Sequence, residues 1–186
     1  MPLTLAAPVA TPRLVVRAVA AEDLDDLLAV NGDPEATRYL PYDAWKGPDD
    51  ARAWLERMRG LEASGNALQL VVARTDDGRV IGTCLLFLYD AASARAELGY
   101  VLRRDHWGGG WMREALAALL AHAFGPMGLR RMEASVDPRN EASHRLLLRL
   151  GFEREGVRRE RWITRGKPED SAMYGLLARE WRPPRD

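Results

Sequence analysis

Three consecutive glycines, Gly108 to Gly110, separate a segment with strand-like alternation from the segment with the clearest helical periodicity in the chain. The helical segment starts at Trp111 and repeats apolar residues at three- and four-residue spacing as far as Phe124. Because glycine has no Cβ, the backbone there can approach a ligand closely, and a helix start adds unpaired N–H donors and partial positive charge. This combination suits phosphate oxygens and predicts a polyphosphate-binding loop. A turn that merely reverses the chain is the alternative.

Two common nucleotide-binding motifs do not match this loop. A P-loop requires Lys and then Ser or Thr after the last glycine, and this chain has Trp111 and Met112 there. A dinucleotide-binding loop requires a third glycine where this chain has Arg113. Nucleotide hydrolysis and dinucleotide binding are therefore disfavoured.

Composition sets the limits for the rest of the chain. The 186 residues predict one domain over residues 11–182, preceded by a flexible arm at residues 1–10. Lys+Arg 27 balance Asp+Glu 27, which argues against a nucleic-acid partner, because that binding mode needs clustered positive charge. The single cysteine, Cys84, and three scattered histidines predict neither disulfides nor a metal site. No apolar stretch approaches the ~20 residues of a membrane span, and no basic signal-like start is present, so we expect a cytoplasmic location.

The pattern along the chain predicts an α+β fold, with a mixed, mostly antiparallel sheet of about seven strands and about four packed helices. A strand, a helix and a strand over residues 94–136 form a βαβ unit. The strands are predicted at residues 13–19, 68–74, 79–89, 94–102, 130–136, 152–163 and 170–177, and the helices at 22–30, 48–63, 111–124 and 140–150.

A second polar group follows the glycine loop by about thirty residues. Asn140 and Ser143 stand at the start of the last predicted helix, where both side chains could simply cap orphan backbone amides. Together with the glycine loop upstream, they also fit a second part of the same ligand site. Both readings stay open at this point.

The order of five short motifs resembles the GNAT superfamily of acyl-CoA-dependent N-acetyltransferases, within its ribosomal-protein N-terminal (RimJ/RimL-like) branch. The resemblance covers nearly the whole chain. The motifs are Thr11–Arg17, Glu97–Tyr100, Trp107–Ala115, Asn140–Ser143 with Leu150–Phe152, and Glu180–Trp181.

The resemblance implies that two central strands splay apart and admit acetyl-CoA as cosubstrate. It also implies the cofactor-binding residues, which are Tyr100, Val101 and Leu102 along the pantetheine, the amides of Trp107, Gly108, Gly109, Gly110, Trp111 and Met112 around the pyrophosphate, and Asn140 and Ser143 beside them. The superfamily prefers Arg or Gln at Trp107 and Gly or Ala at Met112, so Met112 could narrow the loop. Arg149 is a candidate for the 3′-phosphate of CoA, with an ordinary solvent-facing arginine as the alternative.

Catalysis of acetyl transfer needs an acceptor for the amine proton. Glu97 precedes the predicted cofactor strand segment and is the candidate base, although a plain strand carboxylate is the alternative. Many superfamily members carry a general-acid Tyr where this chain has Leu147, so Tyr174 is the substitute candidate, with core packing as its alternative. Cys84 lies among apolar residues and is expected to be an inert buried thiol rather than a ping-pong nucleophile.

The predicted function is acetyl transfer to a primary amine by direct attack in a ternary complex. By branch resemblance the acceptor is a protein N-terminal α-amine, and a small-molecule amine is the second option. Acceptor specificity is expected at residues 31–47 and 162–170. A catalytically weak acyl-CoA-binding sensor or interaction module is the alternative function, and the resemblance also suggests a homodimer.

Overall fold

The computed structural model describes residues 3–183 and contains a single eight-stranded sheet with four α-helices. The strands are β1 (Val9–Ala10), β2 (Leu14–Ala18), β3 (Leu68–Arg74), β4 (Val80–Asp90), β5 (Arg95–Leu102), β6 (Arg131–Val136), β7 (Glu153–Thr164) and β8 (Lys167–Leu177). The helices are α1 (Leu24–Asn31), α2 (Pro48–Ala63), α3 (Trp111–Phe124) and α4 (Glu141–Arg149). The α+β class predicted from the sequence is confirmed. No helix among residues 3–183 is long and apolar enough to cross a membrane.

The strand order is β1-β2-β3-β4-β5-β6-β8-β7, and every neighbouring pair is antiparallel except β5 and β6. Those two strands run parallel because α3 carries the chain back across the sheet between them. The predicted βαβ unit is therefore present. Its parallel pair lies in the middle of the sheet.

The segment before β2 makes contacts that its own sequence pattern does not indicate. Val9 and Ala10 pair with Val16 and Val15 of β2, and Leu3 is buried in the core beside its hydrogen bond to the Gly65 carbonyl. Leu3, Leu5 and Val9 therefore contact the core, whereas residues 4 and 6–8 are exposed, and residues 1–2 lie outside the described residues. A two-residue strand has no readable periodicity, which is why the sequence predicts seven strands and not eight.

Two helices cover each face of the sheet. One face packs under α3 and α4, with a core that includes Leu70, Leu98 and Met132. The other face packs under α1 and α2, around Trp54 and Val71. Because side chains alternate along a strand, neighbouring residues of β5 belong to opposite faces.

The central parallel pair separates after only three residue pairs. Arg95 to Glu97 pair with Arg131 to Glu133, and no further pairing joins β5 to β6 within the described chain. The strands nevertheless continue to Leu102 and Val136, so they splay apart beyond Glu97. The predicted opening between two central strands is thus confirmed.

Candidate active site

The glycine loop leads into α3 with a conformation that favours glycine. Gly108 and Gly110 have φ values of 77° and 74°, and Gly110 is the N-cap residue of α3. A Cβ added at Gly109 would lie 2.5 Å from the Trp111 indole nitrogen. No side chain caps the helix, so the N–H donors of its first turn have no cap acceptor. The exposed loop therefore offers backbone donors at the positive end of a helix.

The side chains of the two residues that depart from the family preference contact parts of the protein outside the three glycines. Met112 is 5% exposed and packs in the core beneath α3, so it does not narrow the loop. Trp107 is half-exposed, and its indole nitrogen donates a hydrogen bond of 2.8 Å to the Leu102 carbonyl. The contact ties the loop to the end of β5.

An arginine from the N-terminal strand region braces the same loop. Arg13 Nε donates to Glu114 Oε2 at 2.6 Å, and its guanidinium also donates to the Gly109 carbonyl at 3.2 Å. The guanidinium lies 4.1 Å from the centre of the Trp111 ring. Thr11 donates to the other oxygen of Glu114 at 2.6 Å. Burial opposes ionisation of Glu114, but the hydrogen bonds from Thr11 and Arg13 hold its pKa below the ordinary value.

A cleft of about 380 Å³ occupies the opening between β5 and β6. Tyr100, Asn140 and Ser143 line it on the α4 side, whereas Glu97 and Arg57 line it on the α2 side. The cleft therefore connects the two faces of the sheet. Val101 is also part of its wall.

Glu97 lies where the two central strands begin to separate. It is 7% exposed, and the alternation of β5 directs it to the α1 and α2 face, since Ala96 and Leu98 belong to the opposite core. Burial raises the pKa of Glu97, and nearby Glu133 adds to the shift, while the Ser135 hydroxyl offsets part of it. A buried carboxyl with a raised pKa in a cleft is typical of a proton-transfer group.

Tyr174 lies on the opposite face of the sheet from Glu97. It is 2% exposed, and its hydroxyl is 2.7 Å from Nδ1 of His144, while Nε2 of His144 is 3.1 Å from the Pro138 carbonyl. A carbonyl can only accept, so Nε2 donates to Pro138 and Nδ1 accepts from Tyr174. Tyr174 is thus occupied within the core and does not line the cleft, which makes it a poor match to the predicted general acid.

Tyr100 is the phenol that lines the cleft on its α4 side. Its hydroxyl is buried and has no hydrogen-bond partner among residues 3–183. Burial raises the pKa of Tyr100, and the neighbouring Ser143 hydroxyl offsets only part of this shift. The sequence singled out Tyr100 for its backbone. No local pattern indicated that its side chain would be the buried hydroxyl of the site.

Asn140 caps α4, which is one of the two roles that the sequence left open for it. Its Oδ1 accepts the Ser143 N–H at 3.2 Å. The cap leaves the Asn140 amide nitrogen and the Ser143 hydroxyl unused, and both residues line the cleft. The cap and a ligand contact are therefore compatible.

Two other candidate residues lie away from the cleft. Arg149 is exposed in the last turn of α4 and does not contribute to the cleft wall. Cys84 is fully buried, and burial raises the pKa of its thiol to about 12. Since a thiol with this pKa stays protonated near neutral pH, Cys84 is not suited to act as a nucleophile.

Residues far apart in the chain come together at the far end of the cleft. Tyr39, Tyr42 and Trp162 line its wall and fall within residues 31–47 and 162–170, where acceptor specificity was expected. Arg57 of α2 also lines the wall, but it lies outside both segments and was missed. These four residues share no motif. The contact of His144 with Tyr174 spans thirty positions, which no helical or strand spacing encodes.

Comparisons with known proteins agree with this architecture. Residues 13–153 match the family model described as an acetyltransferase (GNAT) domain. An uncharacterized N-acetyltransferase, p20 of Bacillus licheniformis, is 37% identical over 173 residues, covering 92% of this chain and 96% of the relative. The ribosomal protein uS5-alanine N-acetyltransferase of Escherichia coli (strain K12) is 29% identical over 182 residues, covering 94% and 93%.

A solved structure supports the fold independently. Mycobacterium smegmatis RimJ in complex with CoA-disulfide superposes with a TM-score of 0.78 at 24% identity, covering 90% of this chain and 83% of that chain. The match to the family model extends from the start of β2 to the start of β7 and includes both the glycine loop and Glu97. The chain therefore belongs to the GNAT superfamily of N-acetyltransferases, and its relatives include ribosomal-protein alanine N-acetyltransferases.

Proposed function

We propose that this N-acetyltransferase transfers an acetyl group from acetyl-CoA to a primary amine by direct attack within a ternary complex. The observation that carries the proposal is the cleft through the sheet, which has helix-start donors outside one end and the buried carboxyl of Glu97 within it. The RimJ structure that shares this fold contains a CoA derivative, which supports CoA as the ligand.

The residues present fit a CoA thioester. A diphosphate needs several donors in one place, and the amides from Gly108 to Met112 are available without a competing side-chain cap. A pantetheine arm needs an unpaired strand edge, and β5 has no pairing with β6 from Leu98 to Leu102. Asn140 and Ser143 would add polar contacts beside that edge.

Proton transfer is the chemistry that this chain must provide. When bound, acetyl-CoA supplies an acetyl thioester whose carbon–sulfur bond breaks as the amide bond forms. Only a neutral amine is nucleophilic, and Glu97 would accept its proton directly or through a water molecule. The raised pKa of Glu97 brings this carboxyl closer to the working pH than an exposed glutamate.

Tyr100 would donate a hydrogen bond or proton to the departing sulfur. Its hydroxyl is buried at the cleft without another partner, whereas the hydroxyl of Tyr174 is held by His144. The residue that corresponds to the usual family tyrosine, Leu147, is fully buried and apolar. Tyr100 therefore replaces Tyr174 as the candidate acid.

A protein N-terminal α-amine is the acceptor that we favour. Deprotonating an α-amine at pH 7 costs about 1 kcal/mol, against about 4–5 kcal/mol for a lysine-like amine. A single buried carboxylate is therefore better able to deprotonate an α-amine than a lysine side chain. The relationship to an enzyme that acts on a ribosomal-protein alanine supports this choice.

Thiol release from acetyl-CoA tests the proposal when it is followed with peptides that begin with Ala or Ser and with small amines. We expect turnover with at least one peptide and less with lysine side chains alone. Tight CoA binding with no turnover on any amine would instead support an acyl-CoA-binding sensor.

A further inference from the structure

The hairpin between β7 and β8 ends in a two-residue turn whose arginine reaches a distant loop. Arg165 lies at the tip, and its guanidinium contacts residues 37–43, which we term the acceptor loop. The acceptor loop joins α1 to α2 and is separated from the tip by more than one hundred positions in the sequence. This contact links two segments that share no strand pairing among the described residues.

Four acceptors of the acceptor loop surround the guanidinium of Arg165. Nε donates to the Asp43 carboxylate at 2.8 Å, and Nη1 donates to the Arg38 carbonyl at 2.9 Å. Nη2 donates to the carbonyls of Tyr42 at 3.1 Å and Thr37 at 3.3 Å. Three of the four partners are carbonyls of an irregular segment, so the arginine takes the place of a missing secondary-structure partner.

The acceptor loop is fixed at its other side to the body of the domain. The Tyr42 hydroxyl donates to Asn31 Oδ1 at 2.9 Å, and Asn31 is buried at the end of α1. Burial raises the pKa of Tyr42 to about 12, so this hydroxyl keeps its proton as a donor. The loop is therefore held between α1 and the hairpin tip.

Both joined segments form the wall of the cleft near Glu97. Tyr39 to Tyr42 line it from the acceptor loop, and Trp162 and Thr164 line it from β7. Glu97 lies in the same cleft. An amine that approaches Glu97 would thus pass between two surfaces that Arg165 holds in a fixed relation.

We propose that Arg165 is a positioning residue that assembles the amine-acceptor end of the cleft. This inference rests on the proposed acetyl transfer to an amine. Arg165 does not touch the reacting atoms. It sets the separation between the acceptor loop and β7, and through that separation the affinity and size range of the acceptor.

The backbone at the tip supplies a sharp variant. Arg165 and Gly166 have φ values of 51° and 74°, as in the hairpin turns that favour Asn-Gly. Arginine is not a residue that such a position favours. Arg165→Asn therefore keeps or improves the turn while it removes the guanidinium. Its effect thus reports the loss of the contacts with the acceptor loop and not a change in the hairpin.

Steady-state kinetics on the full chain test the proposal, with acetyl-CoA and the best peptide from the amine panel varied in turn. For Arg165→Asn we expect KM for the amine to rise about tenfold, because small misplacements at a site carry large costs. We expect kcat and KM for acetyl-CoA to stay within about twofold of the parent values, with an unchanged thermal midpoint.

Three further variants serve as controls for the effect of Arg165→Asn. Arg159→Ala removes an exposed arginine of the same hairpin and should change neither KM. Asp43→Asn should have a small effect, because the Asp43 side chain is 79% exposed and exposed ion pairs contribute little. Arg165→Lys should recover part of the amine KM, since an ammonium can serve some but not all four acceptors.

The outcomes separate this inference from the proposed function. An unchanged amine KM in a folded Arg165→Asn enzyme, or an equal rise of both KM values, would overturn the role of Arg165. Absence of turnover in the parent enzyme with every amine would instead overturn the acetyl-transfer proposal. In that case, limited proteolysis of the acceptor loop still tests whether Arg165 holds this loop, with faster cleavage expected in Arg165→Asn than in Arg159→Ala.

Discussion

The glycine loop and the acceptor loop are each braced by one arginine, but they are built in different ways. At the proposed cofactor end, Arg13 supports the glycine loop, whose donors are backbone amides from consecutive residues. At the acceptor end, Arg165 joins segments that are far apart in sequence and that contribute aromatic and charged side chains. A conserved type of ligand can be held by backbone geometry, whereas a variable acceptor needs side chains that change without altering the fold. If the proposed roles hold, this difference would let one fold keep its cofactor site while the acceptor site changes.

Glu97 lies between the two ends, and its replacement should have the largest effect. For Glu97→Gln we expect kcat to fall by about 10²–10⁴-fold, the usual contribution of a general base, with acetyl-CoA affinity unchanged. The parent kcat at saturating amine should fall as the pH drops through the raised pKa of Glu97, because protonation removes the base. The acidic limb should be absent in Glu97→Gln. An unchanged rate across pH would remove Glu97 from the mechanism.

Adding a side chain to the glycine loop should change the KM for acetyl-CoA and leave the KM for the amine unchanged. Gly110→Ala places a Cβ on a left-handed residue, at a cost of about 1–2 kcal/mol, and we expect about a tenfold higher KM for acetyl-CoA because the loop amides shift. Gly128→Ala is the matched control, since Gly128 has φ 67° and open space around it. Equal stability losses with a KM change confined to Gly110→Ala would support the loop as the diphosphate site. Equal KM values in both variants would contradict it.

The two buried tyrosines should separate catalysis from packing. Tyr100→Phe should lower kcat by about tenfold with little loss of stability, since a transition-state hydrogen bond is removed and its hydroxyl has no partner in the described chain. Tyr174→Phe leaves His144 without its partner and should cost about 1–3 kcal/mol of stability, with kcat nearly unchanged. Chemical denaturation and turnover measured on both variants check this. A larger kcat effect for Tyr174→Phe would restore Tyr174 as the acid.

Replacing Arg13 should have the smallest effect of these variants, and it should change the KM that replacing Arg165 leaves unchanged. Arg13→Met leaves the Glu114 carboxylate uncompensated beside the loop, so we expect KM for acetyl-CoA to rise about fivefold through repulsion of the diphosphate. Adding Glu114→Gln should restore part of that loss. The amine KM should not change, which is the reverse of the Arg165→Asn pattern. If both arginine variants raised the same KM, the two ends of the cleft would not be independent.

Sequence patterns describe the glycine loop better than the acceptor end, because the loop depends on neighbouring residues and the acceptor end depends on distant ones. The glycine loop, α3 and the Asn140 cap depend on neighbouring residues, so their conformations are encoded in short motifs. The role expected for Tyr174 did not match its position, because the face of β8 on which it lies depends on the pairing of β8 with β6. The contacts of Leu3, Val9 and Ala10 are similar, since they come from β2 and the core and not from a local pattern.

The sequence by itself determined the fold class, the family and the conformation of the glycine loop of this protein. Periodicity and backbone-based motifs act over a few residues, and such short-range physics can be read directly from the order of amino acids. Only the tertiary structure decided that Tyr100 and not Tyr174 lines the cleft, and that Arg165 joins the acceptor loop to the hairpin tip. Those contacts depend on strand register and chain packing across more than one hundred residues, which no local pattern specifies.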